Sequence, residues 1–268
     1  PSALDQPMNI RGFTNLQRFE FKYHIPLAWL DSIASFLSPW CELDPYCRSN
    51  PDGFYWITTL YLDSHHRTFY KRTLSKPDGR FNMRIRTYGE PPPPEGPFHF
   101  EVKEKRRDTV AKSRGVIKRG SISNLWDDTA TTLERSPNAE ERHNLERFLR
   151  LSLAYNAEPT VLTQYRRMAW FGVSDIYARV TLDIEMRWRE ATGFDMSVAP
   201  GQMRPSGLPE YRDPGSDAIL ELKCDPGHVP DWMMELVLML NLNRSGYSKF
   251  ASATHEMLRL PGIRVPVD

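Results

Sequence analysis

A chain of 268 residues, 40% of them hydrophobic, is long enough to bury one sizeable core, and its formal net charge of only +1 excludes a protein that coats nucleic acid by bulk basicity. Any anion binding must be local. Cys41, Cys47 and Cys224 lack paired metal-ligand spacing, so they read as reduced thiols of a cytoplasmic protein and exclude a disulfide framework or a zinc site. The amino terminus carries no signal-peptide pattern, and the apolar run at 236–240 is far too short to span a bilayer, so no membrane segment is expected.

In chain order, residues 1–15 are polar and aperiodic and read as a loose arm before a single domain at 16–268. Successive side chains of a strand point to opposite faces. At 18–23, Arg18, Glu20 and Lys22 therefore share one face, and Phe19, Phe21 and Tyr23 the other. Pro26 opens a helix with Leu27, Leu30, Ile33, Ala34 and Leu37 at helical spacing, closed by Pro39. Residues 54–63 read as a strand, and His65 and His66 as turn residues after it. The 75–79 segment is turn chemistry leading into a strand that carries Arg84 and Arg86. Prolines from 91 to 97 make a stiff connector to the strand bearing Glu101, Lys103 and Lys105, and 110–117 supplies Lys112 and Arg114. A helix is expected over 136–155, with Leu145, Phe148, Leu149 and Leu153 on its apolar face. Strands follow at 161–170, with Tyr165 and Arg167 on one side, and at 179–183, with Arg179 and Asp183. A polar, Gly- and Pro-rich loop spans 192–217 and precedes the strand of Glu221 and Lys223. Pro230 opens a last helical region in which Trp232, Leu236 and Leu240 pack on the wall, and Ser248-Lys249-Phe250 lies beyond it.

Taken singly, such a charged face is a solvated sheet surface. Solvated faces mix Ser, Thr, Asn and Gln with the charges, whereas these strands repeat Arg, Lys and Glu. The consistent solution is an α+β fold in which an antiparallel β-barrel keeps its apolar side outward under helices and turns the charges into a lumen. The inward set then carries four positive charges in excess: Arg18, Lys22, Arg84, Arg86, Lys103, Lys105, Arg179 and Lys223 against Glu20, Glu101, Asp183 and Glu221. That is a polyanion site with carboxylates to spare for a metal.

The motifs resemble the VTC domain, the polyphosphate polymerase module of the vacuolar transporter chaperone complex, within the triphosphate tunnel metalloenzyme superfamily. The likeness covers roughly 16–258 and rests on ordered elements: the 18–23 strand, Leu60-Tyr61-Leu62-Asp63, Arg84-x-Arg86, Lys103 with Lys112 and Arg114, Tyr165-x-Arg167, Glu221-x-Lys223 and Ser248-Lys249-Phe250. It implies a triphosphate tunnel that uses Mn2+ or Mg2+, with Glu221 the first choice of ligand; Glu20, Glu101 and Asp183 are weaker candidates among the inward carboxylates. Asp183 is expected instead to hold its basic neighbours in register. Lys22, Arg84, Arg86, Lys103, Arg167 and Lys249 are the expected catalytic residues. Arg18, Lys105, Lys112, Arg114, Arg179, Lys223 and Ser248 would bind substrate. The chain lacks the regulatory SPX domain and the membrane helices of the eukaryotic complex, and its 103–112 loop looks shorter, which implies a lone catalytic module of bacterial type. The expected activity transfers the γ-phosphoryl group of a nucleoside triphosphate onto polyphosphate, with no nucleic-acid partner. A metal-dependent triphosphatase and a non-catalytic polyanion-binding module are the alternatives.

Overall fold

The computed structural model describes residues 18–259, apart from 108, 119, 121, 123–125, 127–128, 176 and 207–216. The expected arm at 1–15 and much of the end of the 192–217 loop lie outside the described residues.

Eight strands build the wall: β1 (Arg18–Ile25), β3 (Tyr55–Asp63), β4 (Arg80–Tyr88), β5 (Phe98–Arg106), β6 (Thr109–Ile117), β7 (Glu158–Gly172), β8 (Arg179–Glu190) and β10 (Ala218–Cys224). They pair antiparallel in the order β7, β3, β4, β5, β6, β1, β10, β8, and β8 returns to β7, so the barrel has no free edge. Two short strands, β2 (Cys41–Leu43) and β9 (Arg204–Pro205), extend β7 and β8. The β1–β6 seam is the shortest pairing in the wall, Arg18↔Val110 and Phe19↔Thr109. Past it, a segment near Arg244 supports β1, with Tyr23 bridged to Arg244 and the Ser245 amide donating to the Lys22 carbonyl at 2.7 Å.

The alternation expected from sequence is realised as an inverted barrel. Outward side chains form two apolar layers under the helices. In one, α1 (Leu30–Leu37) and α6 (Asp231–Met239) bring Ile33, Leu37, Trp232 and Leu236 onto Leu182, Leu220 and Leu222. In the other, α3 (Thr68–Ser75), α5 (Ala139–Tyr155) and α7 (Lys249–Leu258) bring Phe69, Phe148 and Phe250 onto Leu60, Ile85 and Phe100. Each such fully buried side chain contributes roughly 1.5–3 kcal/mol, so the outer layers carry the fold and leave the lumen to chemistry. Short helices α2 (Pro45–Arg48) and α4 (Thr129–Glu134) complete the described set.

Several details decide the positions. Gly115 lets α5 lie directly on β6, because a Cβ there would stand 2.7 Å from the Leu145 backbone. Helix α5 begins at Ala139 and not at Ser136, since the Asn138 side chain accepts from the Glu141 amide and sets the first turn later. Helix α7 was not foreseen beyond Ser248; that serine accepts from the Ala251 amide at 3.3 Å and caps it. His65 and His66 lie in a turn, as expected.

Candidate active site

The lumen is one cavity of about 660 Å3 whose walls include every expected basic residue and Ser248. Most of its ionic groups fall into three sets, each anchored by one or two carboxylates that the strand register places opposite cations.

In the first set, β4, β5 and β6 place Arg84, Glu101 and Arg114 side by side. Glu101 is fully buried and accepts from Arg84 Nε at 2.7 Å, Lys112 Nζ at 3.0 Å and Arg114 Nε at 2.8 Å. Burial alone would push its carboxyl up, but Lys112, Arg84, Arg114 and Arg86 outweigh that and hold it well below the usual range. Arg86 reaches the Tyr165 hydroxyl at 3.3 Å. In the second set, Asp183 accepts both prongs of the Arg167 guanidinium, at 2.6 and 2.8 Å, and Lys249 Nζ at 2.5 Å. The Tyr165 ring lies beneath both cations, 5.4 Å from Arg167 and 4.6 Å from Lys249. Burial opposes ionisation of Asp183, yet Arg167 and Lys249 hold its carboxyl low.

The third set joins β1 and β10 to β5. Lys103 Nζ lies 2.6 Å from Glu20, Lys223 Nζ 2.8 Å from Glu221, and Lys22 Nζ 3.6 Å from Glu221. Burial pushes Lys22 down to about 8 and Lys223 down to about 7, against the pull of Glu221 on both. Farther along the lumen, Arg179 lies 3.3 Å from Asp44 and stacks on the Phe171 ring at 4.3 Å. Arg18 is near enough to Arg179 for mutual repulsion, which, after burial, lowers its pKa.

Glu20 and Glu221 line the cavity, whereas Glu101 does not. Glu101 lies beneath the lining, where its two oxygens meet Arg84, Lys112 and Arg114 and it acts as their shared counter-ion. Asp63, which the resemblance aligned with a tunnel strand end, accepts the amides of Ser64, Phe69 and Tyr70 and starts α3. Its neighbour Tyr61 does line the cavity. Among the described residues no three His, Cys, Asp or Glu side chains are grouped to hold a metal ion by themselves. Divalent magnesium and manganese are held by one or two carboxylates together with substrate phosphates and water, and Glu221 and Glu20, facing one cavity from adjacent strands, fit that donor set.

Sequence reasoning missed Lys76, Arg80 and Arg244, which also line the cavity, and the aromatic groups Tyr55, Tyr88, Phe171 and Tyr177. Arg80 was within reach, being in period-two phase with Arg84 and Arg86. Arg244, outside any strand, gave no signal.

A closed eight-stranded antiparallel barrel with a basic, carboxylate-tethered lumen and helices outside defines the triphosphate tunnel class. A family profile described as VTC domain matches residues 17–258, and the chain belongs to that family. Among solved structures, a candidate adenylate cyclase from Bacillus halodurans shares the fold, with a TM-score of 0.50 at 11% identity over 88% of this chain and 96% of that one. A candidate adenylyl cyclase from Hippeastrum, described as having a dominant triphosphatase activity, has a TM-score of 0.46 at 13% identity over 92% and 98% of the two chains. Curated protein sequences yielded no match. No helix among the described residues is long and apolar enough to cross a membrane.

Proposed function

We propose that the protein is a metal-dependent polyphosphate polymerase that moves the γ-phosphoryl group of a nucleoside triphosphate onto a polyphosphate end inside the tunnel. The observation that carries this reading is the convergence of Arg84, Arg86, Arg114, Arg167 and Lys249 on the cavity that Glu20 and Glu221 also face. Phosphoryl transfer asks a protein for positioning and charge neutralisation more than for covalent help. Guanidinium groups offer two parallel donors to phosphate oxygens, so Arg84, Arg86 and Arg167 clamp the triphosphate, with Arg18 and Arg179 nearby. Glu101 fixes the Arg84 guanidinium plane and Asp183 that of Arg167 before substrate arrives, while Arg86 is held by the Thr59 and Tyr165 hydroxyls. Lys22, Lys103, Lys112, Lys223 and Lys249 act as point charges along the chain, with Lys105, Arg114 and Ser248 beside them.

An ionised oxygen of the acceptor chain attacks the γ-phosphorus; its new P–O bond forms as the bond to the β–γ bridging oxygen breaks, and the nucleoside diphosphate leaves with that electron pair. The acceptor is already deprotonated, so no side chain need serve as general base. Glu221 and Glu20 would hold Mn2+ or Mg2+, which when bound neutralises charge on the phosphate oxygens.

Incubation with ATP and Mn2+, with products resolved on a gel, tests the reading. A ladder of polyphosphate is expected. Inorganic phosphate without chains would replace it by a triphosphatase, and binding without any metal-dependent turnover by a polyanion-binding module.

A further inference from the structure

Charged side chains make up about half of the lumen lining, and at one end aromatic and small apolar side chains gather beside them. Tyr55, Ile57, Tyr88, Phe171, Tyr177 and Ala178 all line the cavity. The register places the strand members: Ile57 of β3 lies opposite both Tyr88 of β4 and Tyr165 of β7, Tyr55 lies opposite Arg167, and Phe171 lies opposite Arg179, while Ala178, whose carbonyl accepts from the Gly172 amide, and Tyr177 come just before Arg179. The Tyr55 and Tyr88 ring centroids are 6.2 Å apart. Tyr55, Tyr88, Phe171 and Tyr177 are each only half-buried, so they are not fillers of the outer core. Strand β4 begins at Arg80 and ends at Tyr88, which puts the rings and the Arg80 side chain at opposite ends of the tunnel.

A chain of phosphates takes at most hydrogen bonds from the phenol hydroxyls of Tyr55, Tyr88 and Tyr177 and has no use for the ring faces. The face of an aromatic ring carries negative quadrupolar charge and gives nothing to an anion. A planar, uncharged heterocycle does use it, through stacking that is indifferent to base identity. The cations sit where the rest of such a ligand would need them: Arg179 packs on Phe171 at 4.3 Å, and Tyr88 is faced by Arg114 and Arg86, which together overcome burial and lower its phenol.

We propose that Tyr55, Tyr88, Phe171 and Tyr177 form a nucleobase-stacking site at this mouth, which directs the triphosphate inward along Arg86 and Arg167. This rests on the reading that the donor is a nucleoside triphosphate. It makes the protein selective for nucleotides over inorganic triphosphate, and tolerant among bases, since stacking on a ring face does not distinguish one base from another.

Calorimetric titration of the wild-type protein with ATP, with the base-free ribose 5-triphosphate and with inorganic tripolyphosphate tests the site. ATP is expected to bind about tenfold more tightly than the base-free analogue, within the range of base–aromatic stacking. Tyr55→Leu and Tyr88→Leu should remove that gap while leaving tripolyphosphate affinity unchanged, and Tyr88→Phe should keep it. Equal affinity of the wild-type protein for ATP and ribose 5-triphosphate overturns the proposal even if the variants fail to fold; so does a parallel loss for ATP and tripolyphosphate in both Leu variants. The two readings separate cleanly. A polyphosphate ladder made equally well from ATP and the base-free donor sinks the stacking site alone, whereas base-dependent binding without a ladder sinks the polymerase alone.

Discussion

Replacing Glu101 by Gln keeps the shape of the side chain and removes the charge that three cations share. Arg84, Lys112 and Arg114 would then face one another with a neutral amide between them. Removing one partner of a buried ion pair costs about 3–5 kcal/mol. The cations retain 14%, 36% and 24% of their side-chain exposure, so water compensates in part and the low end, about 3 kcal/mol, applies. For a domain of this size that is a fall in Tm of about 6–12 °C. The same change leaves one more uncompensated positive charge for an anion, so the Tm gain on adding tripolyphosphate should be larger in Glu101→Gln than in the wild-type protein. The pH dependence has a definite sign. Glu101 is held below its unfolded value of 4.5, so its stabilisation is complete above that pH and is lost as the pH falls toward the folded pKa. Thermal melts with and without tripolyphosphate, from pH 8 downward, should show a Tm gap between the two proteins that narrows below about pH 4.5. An unchanged Tm at neutral pH, or a smaller gain from tripolyphosphate in the variant, would refute the counter-ion role.

Asp183→Asn frees Arg167 and Lys249 together and should cost about 3–5 kcal/mol in chemical denaturation, more than loss of an exposed pair such as Arg48–Glu42, worth under about 1 kcal/mol. Arg84→Ala and Arg167→Ala should each weaken nucleotide affinity, with strong salt dependence in the wild-type protein; unchanged affinity in both variants would remove the clamp assignment. Glu221→Gln should abolish metal-dependent turnover while polyphosphate affinity holds or rises, and retained turnover would remove Glu221 as a metal-holding residue. Gly115→Ala should destabilise by about 1–3 kcal/mol, because α5 must retreat from β6, while nucleotide affinity measured below the melt stays unchanged.

The period-two alternation of Arg18, Glu20 and Lys22, of Arg84 and Arg86, and of Glu101, Lys103 and Lys105 carried the architecture, because one buried side and one charged side leave a strand only two ways to face. Elements too short to show a period, β2, α2 and β9, were invisible for the same reason. Helix α7 did leave a trace, Phe250, Ala253 and Met257 on one face after a capping Ser248, but Ser248-Lys249-Phe250 was read only as a segment beyond the preceding helix and not as the start of another. The division of the carboxylates was only half legible. Asp183 was expected to pair with basic neighbours and does, but Glu101 looked equivalent to Glu20 until the register set Arg84 on one side of it and Arg114 on the other. Tyrosines in strands signal β-propensity whichever way they face, so Tyr55 and Tyr88 could not be told from wall filling.

The carboxylates beneath the lining also bear on how the molecule comes into being. Arginines and lysines gathered with nothing negative among them would drive the strands apart, and such a chain could close only around a phosphate guest. Glu101 and Asp183 are resident anions built into the wall, so the empty tunnel is already a stable object, and an arriving phosphate meets guanidinium forks that are oriented but not yet neutralised.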